Sequence, residues 1–147
     1  MKIRIKKVHP EAILPEYAYA KGEDAGLDLR AVEALTISPG GAEAVATGLA
    51  VEIPQGYEGQ VRPRSGLCLK HSVVANFGTI DPGYRGEIRV VMFNFGHADY
   101  TIKPGDRIAQ LVLARYETVE WEEGDLGASE RGARGFGSSG GFGSSGQ

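Results

Sequence analysis

The chain has 147 residues, 41% of them apolar and 24% charged, which suits one domain with a sizeable core. A net charge of −3 and a pI near 5.6 exclude a general attraction to nucleic acid or to an anionic membrane, so any phosphate binding must be local. The single cysteine, Cys68, excludes an intramolecular disulfide framework and points to a reducing, cytoplasmic setting.

In chain order, residues 1–8 alternate Ile3 and Ile5 with basic side chains, the period-two pattern of a half-buried strand, and Pro10 ends it. The N-terminus carries lysines but no apolar leader core, and no stretch approaches the roughly eighteen apolar residues of a membrane span; no export or insertion is expected. Residues 11–23 read as loop. Residues 25–31 alternate again, with Leu27 and Leu29 on one face and Asp28 and Arg30 on the other. Residues 36–41 read as a strand end and turn, 44–53 as a strand pair and 54–56 as another turn. Residues 59–64 are extended, with Pro63 assigning them to a sheet edge or a strand end, and a short helix is expected after Ser65.

Asp81-Pro82-Gly83 predicts a tight turn with Gly83 at positive φ, from which the flanking residues run back as an antiparallel hairpin. Residues 87–95 and 107–116 are the strongest strands, with a turn at 103–106 between them. No window sustains a 3.6-residue apolar period, and the many short strands punctuated by glycine and proline predict an all-β sandwich or barrel. From Glu117 to Glu130 six acids occur without a lysine or arginine, which marks a solvated connector. The last sixteen residues hold seven glycines and four serines, too little apolar surface to hold themselves folded, so a mobile tail is expected. The tail repeats G-F-G-S-S-G at 135–140 and 141–146. The expected organisation is a β-barrel domain over 1–130 and a lid segment over 131–147.

Four groups could carry chemistry. Asp81 and Tyr84, three positions apart on one turn, are a candidate base and a candidate stacking plate, although a D-P-G turn alone is usually only a chain reversal. Arg64-Ser65-Gly66 places a guanidinium, a hydroxyl and a glycine at a helix start, which suits either a phosphate or an ordinary serine N-cap. In the tail, Arg131 with Phe136, Gly137, Ser138 and Ser139 forms either an anion-wrapping segment or a Gly/Ser linker. Gln110, inside an apolar strand, is either a satisfied core amide or a ligand contact. His9, His71 and His97 lack zinc-site spacing, no P-loop is present, and Cys68 reads best as a small packed thiol.

The ordered set A-G-L-D-L (25–29), P-R-S-G-L (63–67), G-T-I-D-P-G-Y-R-G-E-I (78–88), P-G-D-R-I-A-Q-L (104–111) and R-G-A-R-G-F-G-S-S-G (131–140) closely resembles the five motifs of homotrimeric dUTPases. The resemblance implies a jelly-roll-like β subunit in a threefold trimer with three shared sites. It implies hydrolysis of dUTP to dUMP and pyrophosphate, with Mg2+, which keeps uracil out of DNA and supplies dUMP for dTMP synthesis. It further implies that Asn76, Phe77, Gly78 and Thr79 read the uracil and that Tyr84 lies under the deoxyribose. Asp81 would deprotonate the water that attacks the α-phosphorus. Arg64, Ser65, Gly66 and Gln110 would contact the phosphates, Asp28 would hold magnesium through water, and Arg131, Phe136, Gly137, Ser138 and Ser139 would close from a neighbouring chain.

Three departures stand out. Gly83 occupies a position where many relatives carry an acid, Arg134 replaces a common glycine, and the repeat offers Phe142 as a second lid, though the spacing from Arg131 favours Phe136. The related dCTP deaminases and bifunctional enzymes need a glutamate in the strand after the turn, and residues 88–94 contain none. A regulatory module that senses dUTP without hydrolysing it is the non-enzymatic alternative, against which the presence of Asp81 speaks.

Overall fold

The computed structural model describes residues 1–20 and 22–135, so Phe136, Gly137, Ser138, Ser139 and the repeated motif lie outside the described residues. Short alternating apolar runs, each closed by glycine, proline or a polar pair, give eleven strands among the described residues: β1 Arg4–Lys7, β2 Leu27–Arg30, β3 Leu35–Ile37, β4 Ala42–Ala46, β5 Leu49–Glu52, β6 Tyr57–Arg62, β7 Val73–Ala75, β8 Gly78–Ile80, β9 Arg89–Asn94, β10 Tyr100–Ile102 and β11 Arg107–Arg115. The helix expected after Ser65 forms as α1, Ser65–His71.

All strand pairs are antiparallel, and their order explains the architecture. β2 pairs with β11, β3 with β10 and β4 with β9, so early strands meet late ones in reverse sequence, as in a long hairpin rolled on itself. This is a jelly-roll-like all-β fold. One four-stranded sheet runs β2-β11-β6-β8, a three-stranded sheet runs β4-β9-β7, and β1-β5 and β3-β10 form two ribbons. A single cluster including Leu29, Ile37, Val45, Leu49, Val90, Met92, Ile102 and Ile108 fills the interior.

Several expectations are corrected. Of the two positions expected for residues 59–64, the strand end holds and the sheet edge does not: β6 lies between β11 and β8, and the missing N–H of Pro63 falls one residue past the last ladder pair, Gln110 with Arg62. β1 is exposed along its whole length rather than half-buried, while its partner β5 carries the buried side of that ribbon. β10 is an additional strand ahead of the 103–106 turn. The expected hairpin across Asp81 does not form: β8 pairs with β6, and β9 pairs with β4 and β7. Residues 81–88 instead cross from one sheet to another, because Ile80 and Ile88 both bury in the common core from those two sheets. The turn itself exists, closed by Tyr84 N–H donating to the Asp81 carbonyl at 3.0 Å, but Gly83 is not at positive φ. Cys68 is exposed on α1 and not packed, since this seven-residue helix buries no residue.

Candidate active site

β2, β11 and the β6–α1 junction build one half of the site. Gln110 pairs with Asp28 on one side and with Arg62 on the other, and directly paired side chains share a face. Gly26, two residues before Asp28, lies on this face as well. A Cβ there would stand 3.0 Å from the Gln110 Cβ and 3.3 Å from its Oε1, so only glycine leaves Gln110 its place. Gln110 is partly buried and lines a concavity with Pro63, Arg64, Ser65, Gly66, Leu67, Lys70 and His71. Gln110 is thus a pocket-lining amide rather than a fully buried one.

At the α1 start the N-cap position is Arg64, not Ser65, and no side chain caps the helix. Ser65 is exposed, and a Cβ on Gly66 would meet open space. Behind the concavity, Asp28 is 3% exposed with its carboxylate between two guanidiniums: Arg64 Nε lies 3.3 Å from Oδ1 and Arg107 Nε lies 3.3 Å from Oδ2. Arg64 Nη1 also donates to the Arg107 carbonyl at 3.3 Å. Despite the ion pair, the Arg64 nitrogen is not aligned for a hydrogen bond, so Oδ1 is left without a hydrogen-bond partner.

The other predicted residues sit elsewhere on the chain. Phe77, Gly78 and Thr79 line a second concavity with Glu58, Gln60 and Arg62, whose side chains are hydrogen-bonded along β6. Asn76 Nδ2 donates to the Phe77 carbonyl at 2.9 Å, which stiffens that backbone. Asp81 is exposed at the end of β8, while Pro82 and Gly83 line a third concavity beside Arg4, Glu52 and Tyr116. Tyr84, 45% exposed, donates its hydroxyl to the Glu87 carbonyl at 2.9 Å. Its ring lies across Gly86, where a Cβ would overlap the Tyr84 hydroxyl oxygen. Arg131 is exposed in a turn, its Nε donating to the Arg134 carbonyl at 2.9 Å, and Arg134 folds back onto the Arg131 and Glu130 carbonyls.

One chain thus brings Arg64, Ser65, Gly66, Gln110 and Asp28 together but leaves the 76–79 segment and the Asp81–Tyr84 turn in separate concavities. Sequence reasoning missed Lys70, His71 and Arg107 as neighbours of the first group, and the structural reasons for Gly26 and Gly86. Gly26 and Arg107 were inside quoted motifs, which is the signal that could have found them. Among the described residues no three His, Cys, Asp or Glu side chains cluster to cage a metal.

The structure is thus an all-β jelly roll with an Arg-Ser-Gly helix start, a buried acid behind it and a carboxylate-bearing turn elsewhere on the chain. The chain belongs to the dUTPase family, whose model matches residues 11–140. It is 61% identical to a deoxyuridine 5′-triphosphate nucleotidohydrolase of Solibacter usitatus over 95% of this chain and 97% of the relative, and 50% identical to that of Wolinella succinogenes over 95% of each. A Staphylococcus bacteriophage 80alpha dUTPase with dUPNHPP superposes with a TM-score of 0.89 at 30% identity, covering 95% of this chain and 98% of the other. A mutant dUTPase from phage phi11 of S. aureus, described as coordinating a structural Mg(II) ion, gives a TM-score of 0.81 at 26% identity over 86% of this chain and 98% of the other.

Proposed function

We propose that the protein hydrolyses dUTP to dUMP and pyrophosphate at sites assembled from several copies of the chain. The observation that carries this reading is the gathering of Arg64, Ser65, Gly66 and Gln110 in one concavity of a dUTPase-family chain whose Asp81 turn lies outside it. The two groups line separate concavities of one chain, which supports a site completed by a neighbouring copy. Exposed apolar side chains on the acidic connector, Trp121 at 93% and Leu126 at 96%, are the kind of surface a neighbouring chain covers. A homotrimer satisfies both.

In this reading Arg64, the Ser65 hydroxyl and Gln110 bind and orient the triphosphate, with charge-assisted hydrogen bonds supplying both energy and direction. The 76–79 segment reads uracil through its stiffened backbone. Tyr84, braced by its bond to Glu87, packs under the sugar. Asp81 accepts a proton from the water aligned on the α-phosphorus, pyrophosphate departs, and the tail from Arg131 onward covers the reactants. For magnesium the chain offers Asp28, a hard carboxylate whose buried Oδ1 lacks a hydrogen-bond partner; it would act on the ion only through a water, because no cage of carboxylates occurs among the described residues. When bound, the ion neutralises phosphate charge. Steady-state turnover of dUTP, dTTP, dCTP and UTP tests the reading; dUTP should be preferred strongly, and equal turnover of dTTP would defeat it. Ammonia release from dCTP would restore the deaminase alternative.

A further inference from the structure

We infer that Arg107 is an additional cation of the phosphate half of the site and that Asp28 positions Arg64 and Arg107 together as one guanidinium pair. The inference rests on the function proposed above and deepens it.

Strand register makes the first argument. Arg107 pairs with Arg30 and Ala109 with Leu29, so Ile108 is an extra residue and β11 carries a bulge there. In a regular strand, positions 107 and 110 would point to opposite faces; the extra residue turns Arg107 onto the face that Gln110 shares with Asp28. A bulge that re-aims one side chain beside a pocket has a use for that side chain. Charge makes the second. One carboxylate, 3% exposed, meets two guanidiniums at 3.3 Å each, so a unit of positive charge remains uncompensated next to the concavity. Such an excess is unfavourable in the chain alone and becomes favourable when a polyanion arrives. Anchoring makes the third. Arg107 holds Asp28 through its side chain and Arg64 through its carbonyl, while the side chain as a whole remains 43% exposed. Arg64 is thereby held at two points, by the ion pair of its Nε with Asp28 and by the hydrogen bond from its Nη1 to the Arg107 carbonyl.

Asp28 then acts on phosphate through the arginines even without a metal. The test is calorimetric titration of wild type, Arg107→Ala, Arg107→Lys and Asp28→Asn with α,β-imido-dUTP and with dUMP, each in Mg2+ and in EDTA. Arg107→Ala should raise the Kd of the triphosphate analogue about tenfold in both buffers and that of dUMP by no more than about twofold, with Arg107→Lys recovering part of the loss. Asp28→Asn should follow Arg107→Ala in EDTA. An unchanged Kd in Arg107→Ala, or equal losses for dUMP and the triphosphate, would overturn the inference; so would an Asp28→Asn effect seen only with Mg2+. Should Asp28→Asn not fold, the two Arg107 variants decide alone. A wild type that binds neither nucleotide would sink the proposed function itself, and this inference with it.

Discussion

Gly86 is where a single missing methyl sets the position of an aromatic ring. Because its Cβ would overlap the Tyr84 hydroxyl region, Gly86→Ala should displace the ring and break its bond to Glu87, while the exposed turn leaves folding intact. The expected result is a several-fold rise in KM for dUTP with an unchanged melting temperature; an unchanged KM would show that the ring position is irrelevant to substrate. Asp81 is the sharper case. If its carboxylate takes the proton from water, Asp81→Asn should retain binding of a non-hydrolysable analogue and lose at least about a hundredfold in turnover. Comparable turnover in the variant would remove Asp81 as base. Asp81 was legible as part of the turn, whereas the reason for Gly86 needed the ring's location.

Among the elements, the end of β9 is held by Asn94, which is 1% exposed and fully used: Nδ2 donates to the Ile37 and Ala98 carbonyls at 2.8 Å each, and Oδ1 accepts from Gly96 N–H at 2.9 Å. These bonds tie β9 to β3 and to the loop that starts β10. Asn94→Ala should cost about 2–4 kcal/mol, because buried carbonyls and an amide lose their partners along with the side chain. Denaturant unfolding measures it, and a loss under about 0.5 kcal/mol would mean water replaces the amide. β10 itself carries Tyr100, whose phenol is raised above its ordinary pKa, first by burial and then by Asp106. A raised folded value means the neutral phenol is favoured in the fold, so this contribution is complete below the ordinary phenol value and is lost as pH rises through the folded one. Tyr100→Phe should therefore reduce the alkaline loss of stability while leaving behaviour at neutral pH alike; an identical alkaline limb in both proteins would contradict it.

For the whole molecule, the separation of the two half-sites gives a quantitative expectation. Arg64→Ala and Asp81→Asn should each be nearly inactive alone. After denaturation and refolding together in equal amounts, about a quarter of sites should receive both native residues if a site takes Arg64 from one chain and Asp81 from another. No recovery would mean that both come from the same chain. The sequence by itself determined the residue types and their order: period-two runs, turn residues, the helix after Ser65, and motifs complete enough to point to the family. It did not determine which strands meet, because a period-two pattern reports a covered face and never the partner that covers it. That is why the expected hairpin at Asp81 became a crossover between sheets, and why the choice between edge and strand end at Pro63 was settled only by β6 lying between β11 and β8. Only the tertiary structure set Asp28 between Arg64 and Arg107, since those three residues are brought together by long-range pairing and by one bulge residue that shifts the phase of β11.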